Sequence, residues 1–548
     1  MALTEDTYDV VIVGAGFAGM CALQRVRSQG MTCRVFEAGD DVGGTWYWNR
    51  YPGARCDVEG RFYCYSFDDR ISHDWTWSER YPAQPEIYDY ARYVADEFDL
   101  RKDITFGTRV VGARFDEDTD SWTLRTDGGA DARARFLLLA VGCLSTSNVP
   151  ELPGIAGFAG RTFHSGQWPR EPVDFAGRSV AVIGTGSSGV QLVPQLAEQA
   201  ERLYVLQRTP SFSVPARNRK LGDTEQIGTN PTVRAERYQA PQTRTGIVYH
   251  GLDPRNVVDV SAGDREEQLR WAWTEGGAGF MQAFGDIGRN EESNGYVADF
   301  VRDRIREYVI DPAVAERLCP TDYPIGAKRI CVDTGYYETY NRDNVELVDL
   351  RAEPIRGFTP DGITVGERTL DVDDVVFATG YDAMTGSLTR MGIEGRDGLR
   401  LADAWAAGPA THLGLGVAGF PNMLVIAGPG SPSVLVNMIV AIEQHVAWIG
   451  DLLEYMRASG ATRFEVTAQA QDSWVRHVNE VAAGSLLTRA ASWYVGANIP
   501  GKPRIFMPYA GGLPAYTQRI ADEVAAGYPG LVFDGVPGAV VATGAERT

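Results

Sequence analysis

Twice in this chain a short apolar run ends in G-x-G-x-x-G and passes at once into a helical pattern. The first is Gly14-Ala15-Gly16-Phe17-Ala18-Gly19, after the run Tyr8 to Val13. The second is Gly184-Thr185-Gly186-Ser187-Ser188-Gly189, after Val180-Ala181-Val182-Ile183. With a further strand at Thr32 to Phe36, the first reads strand, helix, strand, which implies a parallel sheet. In each motif the first glycine makes a tight turn and the second lets the backbone approach a pyrophosphate. The third lets helix and strand pack closely. The helix N-terminus offers aligned N–H groups to the anion. A plain turn is the alternative for either motif taken alone. Together they predict an α/β fold with two Rossmann-like dinucleotide-binding domains.

The register after each motif separates the two ligands. Glu37 lies 23 residues after Gly14, where a carboxylate would accept hydrogen bonds from a ribose diol. The same offset from Gly184 gives Gln207, followed by Arg208 and Thr209. The acid that would repel a 2′-phosphate is absent, and a guanidinium stands beside that position. Arginine suits a phosphate through charge-assisted, bidentate hydrogen bonds. FAD is therefore expected on the first unit and NADPH, rather than NADH, on the second. A solvated surface arginine is the alternative for Arg208. Two such sites suggest a flavin enzyme that takes hydride from a nicotinamide. A disulfide reductase would need a close cysteine pair. No CxxC or CxxxxC occurs, so that class fits poorly.

Composition narrows the class further. At roughly 150 residues per domain, 548 residues suggest about three or four domains. Hydrophobic residues make up 44% and charged residues 23%, which excludes a disordered chain, a coiled coil and a collagen-like fibre. A net charge of −20 argues against nucleic acid and against an anionic membrane surface as partners. Met1 to Thr7 shows neither a basic start nor an apolar core of a secretory signal. No apolar stretch nears the roughly 18 residues of a membrane span. The seven cysteines show no metal-ligand spacing, so no metal is expected. A cytoplasmic protein with reduced thiols is the expectation.

Gly43 to Tyr90, rich in Trp, Tyr, Arg and Pro, reads as irregular structure lining a site. Phe136 to Val141 and Val375 to Ala378 read as buried strands, and Val440 to Arg457 as a long helix. Asp264 to Trp273 and Val297 to Val309 read as helices of an insertion. The expected division is 1–145 with 385–548 for the FAD-binding domain and 150–216 with 330–384 for the NADPH-binding domain. Residues 217–329 would be the helical insertion. After Asp534 the tail has no pattern and is expected to fray.

Between the fingerprints lies Phe158-Ala159-Gly160-Arg161-Thr162-Phe163-His164-Ser165-Gly166-Gln167-Trp168-Pro169. This fits FxGxxxHxxxWP, and by it the chain resembles the type I Baeyer–Villiger monooxygenases. Phe158, Gly160, His164, Trp168 and Pro169 are all present. Gly43-Gly44-Thr45-Trp46 through Tyr51-Pro52-Gly53 to Asp57 is similar to that family's second motif. Related N-hydroxylating and thioether-oxidising flavin monooxygenases usually lack the Trp-Pro ending. The likeness continues through Ala327-Lys328-Arg329, Gly335 to Glu338, Ala378-Thr379-Gly380 and Ser492-Trp493 to Gly501. The loop Gly428-Pro429-Gly430-Ser431-Pro432-Ser433 looks like the phenylacetone and steroid monooxygenase branch. That likeness leans towards aryl, bulky cyclic or long-chain ketones.

The resemblance implies a chemistry. Reduced FAD and dioxygen give a flavin peroxide, which attacks a ketone, and the adduct rearranges to an ester or lactone. Negative charge develops on the peroxide and on the adduct. A fixed cation in a water-excluding site would stabilise both, and arginine stays protonated at any working pH. By resemblance Arg329 is that cation, and Asp57 hydrogen-bonds and orients it. Lys328 resembles a second ligand of the 2′-phosphate, and Trp493 a residue of a loop that closes over the nicotinamide cofactor. Gly44, Thr45, Trp46 and Tyr63 would join Phe17 around the flavin. His164 would act as a hinge between the domains rather than as an acid or base. A phosphate ligand or surface charge is the alternative for Arg329, a turn cap for Asp57, and packing for Trp493. Trp46, Trp48 and Tyr51 could equally be core. The expected partners are a small ketone and dioxygen, for a monomer or weak oligomer. A heteroatom oxygenase, a reductase or oxidase that releases hydrogen peroxide, and a non-catalytic nucleotide-binding subunit are the rival readings.

Overall fold

The strand Asp6–Val13 lies between Cys33–Phe36 and Asp131–Leu139 and runs parallel to both. It is the centre of the first of two main sheets in the computed structural model, which describes residues 6–129 and 131–534. Val10, Val11 and Ile12 are fully buried. Both faces of the strand are covered, so its apolar run is continuous rather than alternating. The sheet has eight strands. Its order is Ile393–Glu394, Val110–Asp116, Ser121–Thr126, Asp131–Leu139, Asp6–Val13, Cys33–Phe36 and Ile104–Thr105. Met423–Val425 also pairs with Asp131–Leu139.

The second sheet has five strands, all parallel, in the order Val345–Asp349, Arg202–Gln207, Ser179–Ile183, Asp374–Phe377 and Arg161–His164. Each fingerprint joins a central strand to a helix, Phe17–Ser28 in the first sheet and Ser187–Gln199 in the second. The fold is thus α/β with two Rossmann-type units. The long helix Met438–Ser459 lies along Phe17–Ser28, tied by Arg25 to Asp451 at 3.1 Å and by Gln29 Nε2 to the Gly450 carbonyl at 2.8 Å.

Along the chain between Arg202–Gln207 and Val345–Asp349 come the helices Pro231–Gln239, Ala262–Glu275, Glu291–Tyr308 and Pro312–Leu318. Val297, Val301 and Ile305 share one apolar core with Val180 and Val182 of the second sheet. Fully buried Arg237 donates to the Cys64 carbonyl and to Glu443 on the long helix. It pins these helices to the first unit.

Two segments differ from the sequence expectation. The strand expected over Phe136 to Val141 starts at Asp131 and stops at Leu139. Its polar half is held by antiparallel pairing with Ser121–Thr126, which an apolar pattern does not signal. The stretch from Phe158 to Pro169, for which the sequence reading names no strand, holds the edge strand Arg161–His164 and the turn after it. Asp374, fully buried, accepts from Arg161 and Arg178 and fastens that edge. Gly43 to Tyr90 is largely irregular, but the helix Gln84–Glu97 starts inside it with Pro85 in its first turn. All seven cysteines are free and buried. Among the described residues no helix is long and apolar enough to cross a membrane, and no cluster could hold a metal ion. The tail after Asp534 lies outside the described residues.

Candidate active site

The first and third glycines of both fingerprints are required by contact. Gly14 has φ +100°, and a Cβ there would lie 2.7 Å from the Ala140 carbonyl oxygen. A Cβ at Gly19 would lie 1.8 Å from the Gly14 oxygen. The second unit repeats this: Gly184 has φ +112°, and a Cβ at Gly189 would lie 2.2 Å from the Gly184 oxygen. The middle glycines differ. A Cβ at Gly186 would meet nothing within 4 Å, and one at Gly16 would meet only the Gly44 backbone, at 3.3 Å. Gly44 closes on Gly16, and Thr45 then opens the short helix Thr45–Trp48.

Both fingerprint helices begin without a side-chain cap and without an acid in the first turn. By contrast Asn290 and Thr467 cap Glu291–Tyr308 and Ala468–Ala483. The free first-turn N–H groups, the partial positive charge of the helix end and the room at Gly186 fit a pyrophosphate. At the first unit Glu37 takes the Ala15 and Gly39 N–H groups at 2.7 Å each. Burial raises its carboxyl, and those backbone hydrogen bonds oppose the rise. The bonds fix the carboxylate at the strand end with lone pairs left for ribose hydroxyls.

An aromatic wall follows. The Trp46 indole donates to the Tyr63 hydroxyl at 3.0 Å, and the Tyr63 ring lies 5.9 Å from both Trp46 and Phe17. Trp46 and Tyr51 are buried in apolar cores, and Trp48 is half-buried. Tyr51 also donates to Gln191 at 2.8 Å, and a Cβ at Gly53 would lie 2.5 Å from the Gln191 carbonyl. This motif therefore seats the first unit against the helix of the second.

At the second unit Thr185 donates to the Thr209 carbonyl at 3.0 Å, which ties the glycine loop to the strand end that carries Arg208. Ser187 is exposed at the helix start and Ser188 half-buried. Arg208 is exposed. Lys328 is half-buried, with its ammonium 4.6 Å from the Tyr323 ring centroid. Burial, and then the charge of Arg208, hold Lys328 below the usual ammonium range. Two cations whose charges act on each other make a ready anion site. Gln207 is occupied elsewhere: its Nε2 donates to the Arg317 carbonyl at 2.7 Å. It fastens the helix Pro312–Leu318 to the sheet and leaves Arg208 as the charged group at that strand end.

Arg329 and Asp57 meet between the two units. Arg329 Nε donates to Asp57 Oδ2 at 2.7 Å and Nη2 to Oδ1 at 2.8 Å, a bidentate pair. Nη1 donates to the Val434 carbonyl at 2.6 Å. Burial pushes the Asp57 carboxyl up, but the charge and hydrogen bonds of Arg329 outweigh it and hold it below the usual range. Burial likewise works against the guanidinium, and Asp57 overcomes it, so Arg329 stays a cation. Both side chains keep part of their surface open, 31% for Arg329 and 24% for Asp57.

The remaining expected residues separate into two groups. Trp493 is half-buried, with its ring 4.4 Å from that of Tyr494, a buried phenol that the charge of Arg329 acts on. Sequence reasoning passed over Tyr494, and its only signal was its place beside Trp493. The FxGxxxHxxxWP residues do not reach Arg329; they build. Phe158 packs edge-on against Phe358, and a Cβ at Gly160 would lie 2.3 Å from the Asp373 carbonyl. Trp168 packs on Phe163 and Phe175, and exposed Pro169 follows it. His164 is buried; its Nδ1 accepts the Gly166 N–H at 3.0 Å, and burial holds it below the usual imidazole range. Its ring stands edge-on to Tyr381, whose hydroxyl donates to Asn49 of the first unit.

Residues 7–225 match the family model described as flavin-binding monooxygenase-like. The acetone monooxygenase (methyl acetate-forming) of Gordonia sp. (strain TY-5) is 39% identical over 534 residues, 97% of this chain and all of the relative. The solved structure of an oxidized steroid monooxygenase bound to NADP is 48% identical, with a TM-score of 0.92 over 96% of this chain and all of that one. The solved OTEMO complex with FAD and NADP is 40% identical, with a TM-score of 0.93 over 97% of this chain and all of that one. By these likenesses, by its complete FxGxxxHxxxWP motif and by its Arg329–Asp57 pair, the chain belongs to the Baeyer–Villiger monooxygenases of the flavin-binding monooxygenase-like family.

Proposed function

We propose that this FAD-containing, NADPH-dependent oxidoreductase inserts one oxygen atom of dioxygen beside a ketone carbonyl and forms an ester or lactone. The observation that carries the reading is the Arg329–Asp57 pair: a permanently charged guanidinium, gripped at two points and partly open, between two dinucleotide sites. Residues 1–145 and 385–548 make the FAD-binding domain on this reading. Residues 150–216 and 330–384 make the NADPH-binding domain, and 217–329 the helical insertion. The two sheets support that division, since their strands fall in those segments.

Gly14, Gly16, Gly19, Phe17 and Glu37 would hold FAD, with Gly44, Thr45, Trp46, Asp57 and Tyr63 around it. Gly184, Thr185, Gly186, Ser187, Ser188, Gly189 and Thr209 would hold NADPH, with Arg208 and Lys328 on its 2′-phosphate. Bound FAD supplies the redox chemistry, taking hydride from NADPH and activating dioxygen for transfer of one oxygen atom. Arg329 holds positive charge where negative charge develops on the dioxygen-derived oxygens and on the ketone adduct. Asp57 keeps that charge in place, so little reorganisation is needed at the moment of reaction. Trp493 shields the site from water. The ester-forming relative and the NADP- and FAD-bound structures support this reading.

His164, neutral and edge-on to the ring that bridges the units, fits the hinge role. Free, buried thiols fit the cytoplasm, with the chain acting as a monomer or weak oligomer. The test is a ketone panel, from acetone through cyclic and aryl ketones, with ester and hydrogen peroxide measured per NADPH consumed. Ester or lactone from at least one ketone is the expected result. NADPH consumption that yields only hydrogen peroxide with every ketone would overturn the reading.

A further inference from the structure

Gln191 stands on the second unit's helix Ser187–Gln199, one turn after Ser187 and on the same side. Its side chain leaves that unit. Oε1 accepts the Tyr51 hydroxyl at 2.8 Å and the Arg55 N–H at 3.4 Å, and Nε2 donates to the Arg55 carbonyl at 3.1 Å. The amide meets both polar groups of the Arg55 backbone, as a neighbouring strand would. Only a side chain with an acceptor and a donor on one carbon can do this.

The loop it grips has little slack. Arg55 Nη1 donates to Glu79 at 2.9 Å and to the Tyr81 carbonyl at 2.8 Å. The Cys56 N–H goes to the Pro82 carbonyl at 3.1 Å, and the Ala54 carbonyl takes the Gln84 N–H at 2.8 Å. Asp57, two residues after Arg55, then holds Arg329 at two points. The same helix also touches the other side of the pair. The Ser187 hydroxyl lies 3.7 Å from the thiol of Cys331, two residues after Arg329. One helix, at whose start the pyrophosphate would lie, thus borders both arms of the pair.

We propose that Gln191 is a positioning residue: it carries the setting of the second unit's helix to the loop Tyr51–Asp57, and through Asp57 to Arg329. The proposal rests on the NADPH-dependent, ketone-oxygenating reading. It adds a link that runs both ways, since a dinucleotide that favours the set helix must feel the loss of the pair.

The test is a double-mutant cycle on purified holoenzyme with Gln191→Met and Asp57→Asn, singly and together, read per bound FAD. In NADP⁺ titrations Asp57→Asn should weaken binding about fivefold when Gln191 is present and not at all beside Gln191→Met. The ester-forming kcat should fall about fivefold in Gln191→Met and no further when that change is added to Asp57→Asn. Equal factors in both backgrounds, or no effect of Asp57→Asn on NADP⁺ binding, would overturn the proposal. Equal factors mark a structural role. If Gln191→Met does not hold FAD, Gln191→Glu carries the same cycle; it keeps the acceptor for Tyr51 and loses the donor to Arg55. If the wild type oxygenates no ketone, the parent reading fails, and the NADP⁺ cycle still decides the role of Gln191.

Discussion

Arg329 and Asp57 stand 272 positions apart in sequence and meet through two parallel hydrogen bonds of 2.7 and 2.8 Å. Fork-to-carboxylate pairing fixes direction as well as charge. Asp57→Asn keeps the shape and removes the charge that holds the fork. The ester-forming kcat should fall by about 10- to 100-fold while NADPH still reduces the flavin. Product analysis against single-turnover flavin reduction separates the two steps. Equal losses in both would show that Asp57 supports the flavin rather than Arg329.

Arg208 and Lys328 lie close enough for the charge of one to lower the other's proton affinity. An anion between them relieves that repulsion. Arg208→Ala should lower the ratio of kcat/KM for NADPH over NADH by about tenfold or more. Lys328→Ala should lower it too, and the pair should be less than additive because they share one phosphate. An unchanged ratio in Arg208→Ala would remove the second unit's phosphate assignment.

The glycines give a contrast that needs no turnover. Gly189→Ala would set a Cβ 2.2 Å from the Gly184 oxygen, whereas Gly186→Ala meets nothing within 4 Å. Gly189→Ala should therefore lower the thermal midpoint. Gly186→Ala should leave it unchanged and weaken NADP⁺ in a titration, because the new methyl fills the room for the pyrophosphate. Unweakened NADP⁺ binding in Gly186→Ala would move the cofactor elsewhere.

His445 links stability to pH. It is fully buried on the long helix; Nδ1 accepts the Ala427 N–H at 3.0 Å, and Nε2 meets the Tyr516 hydroxyl at 2.8 Å. Tyr516 donates to the Leu413 carbonyl, so the ring is neutral and donates to Tyr516 from Nε2. Burial lowers its pKa to about 3 from an ordinary value of 6.5. Between those values the unfolded chain binds a proton that the folded chain does not. Stability therefore falls as pH drops from 6.5 towards 3, by about 2 to 3 kcal/mol at pH 4.5 from this group. Denaturant titrations at pH 7 and 4.5 should show a smaller loss for His445→Gln than for the wild type. Equal losses would contradict the burial argument.

Legibility in the sequence followed the range of the interactions. The two glycine turns are local, so their strands, helices and contacts could be read from spacing alone. Glu37 and Arg208 were singled out by one offset applied twice. The polar start of Asp131–Leu139 was not, because a hairpin partner rather than its own pattern holds it. Gln207 occupied the right offset, yet it donates to Arg317 on a helix more than a hundred residues away. Arg329 and Asp57 were paired by resemblance. The Val434 carbonyl that completes their geometry is backbone, which no side-chain pattern reports.

The most direct test of the central claim is product balance in Arg329→Ala, measured as ester and hydrogen peroxide per NADPH with a ketone the wild type oxygenates. The predicted result is flavin reduction by NADPH, no detectable ester, and nearly all the NADPH recovered as hydrogen peroxide. Ester formed at the wild-type ratio would show that the oxygen transfer does not depend on this guanidinium, and the roles of Arg329 and Asp57 would fall together.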